Sequence, residues 1–230
     1  MTPSTPTLAD VEGRLDMPLR EAMETQRAVR RLLPDPVDDA IVLRCLELAT
    51  KAPTGSNVQS WEFVVVKDPR VKERLARQYR RVWSVYGRVG RWVVARRRDE
   101  RSKRILAAVE WQVDHFVEVP VVVVACLRGG PLPLSRVAPV ARSSFYGSIY
   151  PSVQNLLLAA RAVGLGAGLV TLPLWSTIAA RRILGLPWSV TPCCVVPLGW
   201  PRGRYGPVTR RPVGAVTHLD RYGNRPWSHG

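Results

Sequence analysis

Histidine is scarce in this 230-residue chain, and the three present, His115, His218 and His229, are scattered. That spacing offers no ligand cluster, so no metal is expected. It also offers no Ser/His/Asp or Cys/His constellation for nucleophilic catalysis. Cysteine is scarce too: Cys45, Cys126, Cys193 and Cys194 include no pair with the two-residue gap of a zinc knuckle or a redox dithiol. All four sit in apolar surroundings, which reads as buried free thiols in a reducing, cytoplasmic setting. The adjacent Cys193 and Cys194 are expected on opposite faces of a strand. Acidic residues are few, 18 Asp+Glu against 34 Lys+Arg, for a net charge of +16. Such a field favours polyanions, phosphorylated ligands or anionic surfaces and is silent on fold. No apolar run approaches the roughly 20 residues that span a bilayer. The opening MTPSTPTLADVEGRLDM lacks the basic-then-apolar pattern of a secretory leader, and residues 1–16 are expected to be mobile.

What is present is an alternation of helical and strand patterns. A helix is expected from Pro18 to about Arg31, broken by LLPDPVDD. Asp38 or Asp39 caps the next helix, to Lys51. There Ile41, Cys45, Leu48 and Ala49 form a stripe that Val42, Leu43 and Leu46 widen almost all round. A helix apolar on nearly every side is buried on nearly every side, here hinting at a second subunit. WEFVVVKD reads as a strand. A basic segment over 70–113 has helical spacing, with Gly87 and Gly90 as breaks into two helices. VPVVVVACL is a central strand covered on both faces, and RGGPLPLSRVAP is a loop. Ser152–Val163 is a helix closed by Gly164, GLGAGLVTL a strand entered through glycines, STIAARRILG a short helix between Ser176 and Gly185, and VTPCCVVPLGW a strand. Residues 202–230 form an unperiodic arm. The alternation gives α/β or α+β with a mostly covered sheet. Residues 17–230 read as one domain, with 70–113 as a lid-like insertion.

Four stretches carry candidate chemistry. In APTGSNVQSWEF, Thr54, Ser56, Asn57 and Gln59 hold more hydrogen-bonding capacity than a turn consumes, so water or a ligand satisfies it. In TQRAVRR, Arg27 with Arg30 or Arg31 shares a helical face, which suits either a phosphate or plain solvent. RGRYGPVTRRPV brings Arg210 and Arg211 near the end. The glycines of GLGAGLVTLP permit close backbone approach. This is no dinucleotide fingerprint, because the helix precedes the glycines instead of following them.

Taken in order, RAVRR, APTGSNVQSWEF, AARAVGLGAGLVTLP and TRRPVGAVTHLDRYG resemble the nitroreductase-like, FMN-dependent oxidoreductases over nearly the whole chain. The resemblance implies an α+β fold of three layers, α-β-α, with a mostly antiparallel central sheet and an intertwined homodimer whose arms embrace the partner. It implies FMN in two clefts at the dimer interface, NAD(P)H as donor, and a small-molecule acceptor taken in turn by a ping-pong scheme. Arg27 and Arg210 would hold the phosphate and Arg30 the pyrimidine edge, while Ala28 and Val29 contribute backbone. Pro53, Thr54, Gly55 and Asn57 would reach the flavin from the opposing subunit, supported by Gln59. Val170, Thr171 and Leu172 would turn backbone N–H groups toward flavin N5. No side chain need be catalytic, since the flavin carries the chemistry. Ala28 stands where a Ser is common, and Ser60 where a Pro is. Trp83, Tyr86, Trp92, Phe145 and Tyr146 would wall the substrate pocket or simply pack the helical layer. A reductive dehalogenase or flavin-cleaving relative is the alternative activity. A flavin-storage or nucleic-acid-binding role is a further one, though the charge is spread along the chain and no nucleic-acid-reading motif accompanies it.

Overall fold

Four strands form one sheet in the order β1-β2-β4-β3, each neighbouring pair antiparallel. They are β1 (Trp61–Val66), β2 (Val121–Arg128), β3 (Gly166–Ala167) and β4 (Val190–Gly199). The computed structural model describes residues 5–97, 99–129 and 139–228. Most of the expected loop over RGGPLPLSRVAP, residues 130–138, lies outside them.

β2 explains the layering. Val121, Val123, Ala125 and Leu127 pack into one core cluster with α3 (Asp39–Ala49) and α7 (Tyr150–Val163). Val122, Val124 and Cys126 pack into a second cluster with α4 (Pro69–Arg97) and α5 (Glu100–Asp114). Both faces are covered, so a strand apolar at every position is the physical solution. Each fully buried valine contributes roughly 1.5 kcal/mol or more. The result is the anticipated α+β fold of helices, antiparallel sheet and helices. α8 (Thr177–Leu184) begins where Ser176 accepts a hydrogen bond from Ala179 N and ends at Gly185, whose φ of 66° suits glycine.

The structure departs from the sequence reading at several points. The N-terminal stretch carries secondary structure from Leu8 onward. α1 (Leu8–Val11) lies against α3, and a 3-10 turn (Glu12–Asp16) lies against α7. Val11 is fully buried, and the Arg14 guanidinium donates to Val163 O at 3.3 Å. The helix expected to reach Arg31 stops early, at the end of α2 (Leu19–Thr25). Gln26 turns extended (ψ 123°), and the following strip finds sheet-like partners instead. Val29 N donates to Ala167 O at 2.9 Å, Leu33 N to Trp200 O at 2.7 Å, and Arg202 N to Arg31 O at 3.0 Å. This ladder outbids the helical preference of the segment, so Arg27 and Arg30 do not share a helix face.

α4 runs unbroken through both glycines. Gly87 lies under the Trp83 ring, which a Cβ would meet at 2.9 Å, and Gly90 faces Leu106 of α5. These glycines allow close packing. α5 starts only after Asp99, whose carboxylate accepts from Ser102 N at 2.7 Å. The strand expected over GLGAGLVTL shrinks to β3 plus an isolated bridge between Val170 and Val195, with a 3-10 turn at Leu172–Leu174. In β4, Ala125 faces Cys194 and Cys126 faces Pro192, a bulge that leaves Cys193 without a register partner. Both cysteines therefore enter the first cluster instead of opposite faces. α3 is buried on one side only within the chain, with Leu43 63% exposed. Beyond β4 the chain is irregular apart from a 3-10 turn at Val213–Ala215.

Candidate functional site

The extended strip of residues 27–33 is the base on which the site is built. Gly166 makes its course possible, since a Cβ there would stand 2.6 Å from Leu32 Cδ2 and 2.8 Å from Val29 Cγ1. Gly168 likewise faces Ala28, at 3.5 Å from a would-be Cβ to Ala28 Cβ. The first and third sequence motifs thus touch, and glycine is what lets the two backbones meet.

Two adjoining cavities, of about 500 and 560 Å³, open over this strip and share Arg27, Ala28, Arg30 and Ala108. The second is completed by Arg101, Arg104, Val208, Thr209 and Arg210. The first is completed by Trp111, Arg202, Arg204 and Tyr205. Among the described residues, no carboxylate lines either one. Arg27 and Arg30 of the first motif and Arg210 of the last therefore meet around one space. Arg101, Arg104 and Ala108 were not singled out for this site, whereas Trp111 stands among the aromatics of segment 83–111 expected to cover the flavin. Their spacing places them on one face of α5, a signal that was readable once α5 is taken as a helix.

Arg30 is the most constrained of these cations. It is half-buried, and burial pulls its pKa below the ordinary value, with Tyr79 opposing and Arg27 reinforcing the shift. Among the described residues it has neither a carboxylate within 4 Å nor a hydrogen-bond acceptor. A partly desolvated guanidinium with no counterion is a costly arrangement that an anion or a polarised carbonyl edge would relieve. The Tyr205 hydroxyl, in the first cavity, is spoken for: it donates to Leu165 O, Arg161 lies over its ring at 4.1 Å, and burial pushes its pKa up to about 12.

The polar loop of the second motif lies elsewhere. Pro53, Gly55, Asn57 and Gln59 are exposed, and no residue of 53–59 lines the arginine cavities. Three of its non-glycine residues adopt left-handed backbone: Ser56 (φ 50°), Asn57 (φ 53°) and Gln59 (φ 51°). Asn tolerates this; Ser and Gln do so at a cost of order 1 kcal/mol each. Thr54 holds the shape, its hydroxyl accepting from Gln59 N at 3.1 Å and its carbonyl from Asn57 N at 3.0 Å. Gly55 N reaches Ser148 Oγ at 3.4 Å, at the far end of α6 (Pro139–Gly147). Strain of this kind gathers at ligand clamps and functional sites.

Val170 N is committed to Val195 O at 2.8 Å. In that segment, then, Thr171 and Leu172 carry the N–H groups left for a ligand. The five expected pocket aromatics are not assembled within one chain. Trp83 packs against the second cluster and Tyr86 stands exposed on α4. Trp92 is covered by the Arg96 guanidinium at 3.8 Å. Phe145 and Tyr146, edge to face at 5.2 Å, pack on the first cluster, across the sheet. All four cysteines are buried and free. Among the described residues, no group of three His, Cys, Asp or Glu side chains is placed to hold a metal, and no helix is long and apolar enough to cross a membrane.

Comparison with known proteins places this geometry. A family model described as the nitroreductase family matches residues 23–200. Iodotyrosine deiodinase of Danio rerio is 27% identical over 209 residues, which cover 86% of this chain and 66% of that protein. The chain thus spans just under two thirds of that deiodinase. An NADH dehydrogenase of Thermus thermophilus is 27% identical over 201 residues, covering 83% of this chain and 90% of that one. The crystal structure of an oxidized iodotyrosine deiodinase bound to FMN and 3-iodo-L-tyrosine superposes with a TM-score of 0.63 at 22% identity. That match covers 90% of this chain and 100% of the other, and it is a likeness of fold.

Proposed function

The chain belongs to the nitroreductase family, and on that premise we propose that it is an FMN-dependent oxidoreductase. It takes a hydride from NAD(P)H and delivers it to a small organic acceptor such as a nitroaromatic or a quinone. The observation that carries this reading is Arg30, half-buried and without a counterion, in an acid-free cavity shared with Arg27 and Arg210.

FMN, when bound, supplies the hydride chemistry. The protein's part is to bind, orient and polarise. Arg27 and Arg210 take the phosphate, whose oxygens match two guanidinium forks. Arg30 sits at the pyrimidine edge, where a fixed cation favours the reduced ring. Thr171 and Leu172 offer backbone N–H groups at the reactive edge. Loop 53–59, strained and exposed, is the contribution of a second copy. Leu43 of α3, exposed in the single chain, lies on the surface that copy would cover. A homodimer with two shared sites follows, with residues 202–230 as its embracing arm. α5 walls the arginine cavities and is the part of segment 70–113 that would serve as a lid. Kinship with deiodinases at 27% identity favours reductive dehalogenation as the second reading.

An absorbance spectrum of the purified protein, then anaerobic reduction by NADH and NADPH separately, tests the flavin and the donor. Iodide release from 3-iodo-L-tyrosine under a chemical reductant separates the second reading. Arg27→Ala with Arg210→Ala should raise the Kd for FMN roughly 100-fold or more, at about 1.5 kcal/mol for each lost charge-assisted bond. The circular dichroism spectrum should stay unchanged. Full FMN occupancy in that variant would falsify the phosphate assignment.

A further inference from the structure

A trough between α4 and α8 lies apart from the arginine cavities and takes in Tyr86. One end is cationic. Arg74, Arg77 and Arg81, spaced 3 and 4 apart on α4, meet Arg182 of α8 around a cavity of about 280 Å³. All four are exposed, and among the described residues none has a carboxylate within 4 Å. The one acid of α4, Glu73, is taken by Arg80 at 2.7 Å. Like charges on successive turns repel unless an anion sits between them.

The other end is apolar. Val82, Val85, Tyr86, Val89 and Trp175 line a cavity of about 600 Å³. Val85 is 69%, Val89 60% and Trp175 67% exposed, a contiguous apolar surface of the kind that marks a binding site. The two cavities share Gln78 and Arg81, so they form one continuous trough with charge at one end only.

We propose that this trough binds a small anionic amphiphile. Its flat or aliphatic body lies along Val82, Val85, Val89 and Trp175, and its carboxylate, sulfonate or phosphate is held by Arg77, Arg81 and Arg182. The concave form suits a compact ligand better than a flat bilayer. The site is independent of the flavin reading, since none of these residues lines the Arg27–Arg210 cavities and binding needs no turnover.

Two fluorescent probes separate charge from shape: 8-anilinonaphthalene-1-sulfonate, and N-phenyl-1-naphthylamine, its counterpart without the sulfonate. Arg77→Gln, Arg81→Gln and Arg182→Gln together should weaken the sulfonate probe at least tenfold and the neutral one less than twofold. Val85→Asp with Val89→Asp should weaken both. Decanoate should displace the sulfonate probe, and decanol at equal concentration should not. Thermal melting confirms that each variant is folded. Indifference of the sulfonate probe to both variants overturns the proposal, as does equal loss of both probes in the arginine variant. Sedimentation with phosphatidylglycerol vesicles that is lost in Val85→Asp with Val89→Asp makes the surface a membrane dock and overturns it too. FMN content, read by absorbance in the same samples, decides the flavin reading separately: a colourless protein that passes the probe test sinks the one and keeps the other.

Discussion

Replacing Arg30 by Met should stabilise the flavin-free protein and weaken its hold on flavin, two effects of opposite sign from one side chain. Arg30 is half-buried, with no carboxylate partner among the described residues, and burial already pulls its pKa down. Met keeps the unbranched stem and removes the charge. The cost of a charged group left unsatisfied is about 1–3 kcal/mol when buried, and Arg30's partial exposure brings it to about 1 kcal/mol. For a domain of this length that is a rise of about 2–4 °C in Tm. In the bound state the same change removes a charge-assisted hydrogen bond of about 1.5–3 kcal/mol, which weakens FMN roughly 10- to 100-fold. Differential scanning fluorimetry on flavin-stripped protein reads the first number, and quenching of flavin fluorescence on titration reads the second. A lower Tm in the stripped variant would mean that Arg30 is structurally paired after all. Unchanged FMN affinity would mean that it does not face the cofactor. Either result refutes the reasoning.

Gly166→Ala should cost about 1–3 kcal/mol by overpacking, because the new methyl meets Leu32 and Val29 at 2.6 and 2.8 Å, and it should weaken FMN by displacing the strip that carries Arg27 and Arg30. Wild-type Tm and flavin affinity in this variant would show that the strip is not clamped there. Burial raises Cys45, Cys126, Cys193 and Cys194 from the ordinary 9.0 to about 12, so all four should stay silent to Ellman's reagent at pH 8 until the protein is unfolded. A raised folded-state pKa contributes stability fully present below the unfolded value, so these thiols should lower Tm progressively between about pH 9 and 12, and a Cys45→Ala variant should show a shallower decline there.

The layered fold was legible because it rests on burial. VVVVACL announces a strand covered on both sides, and the caps Ser176 and Gly185 bound α8 where the pattern put them. Misreadings came where long-range partners overrule local preference. Gln26 to Arg31 has helical spacing, yet Ala167 and Trp200, more than a hundred residues away, capture its backbone. Gly87 and Gly90 look like breaks until Trp83 and Leu106 are seen to need the room. The bulge at Cys193 has no local signature, so the side on which the cysteine pair falls was not readable. For the site, the residue types came from the motifs, and their meeting came from the fold. Arg27 and Arg210 are far apart in sequence and share a cavity. Arg101 and Arg104 escaped notice because an Arg-rich helix hides two cavity-lining arginines among many solvated ones.

The arginine cavity draws its walls from residues 27–31, 101–111 and 201–210. On the ribosome, the earliest of these emerge long before the last. A nascent chain whose strands had cleared the exit tunnel but whose Arg210 had not would hold only part of the cavity rim. Completion of this cavity is therefore among the final events of biogenesis, and any ligand that needs all three walls meets a finished chain.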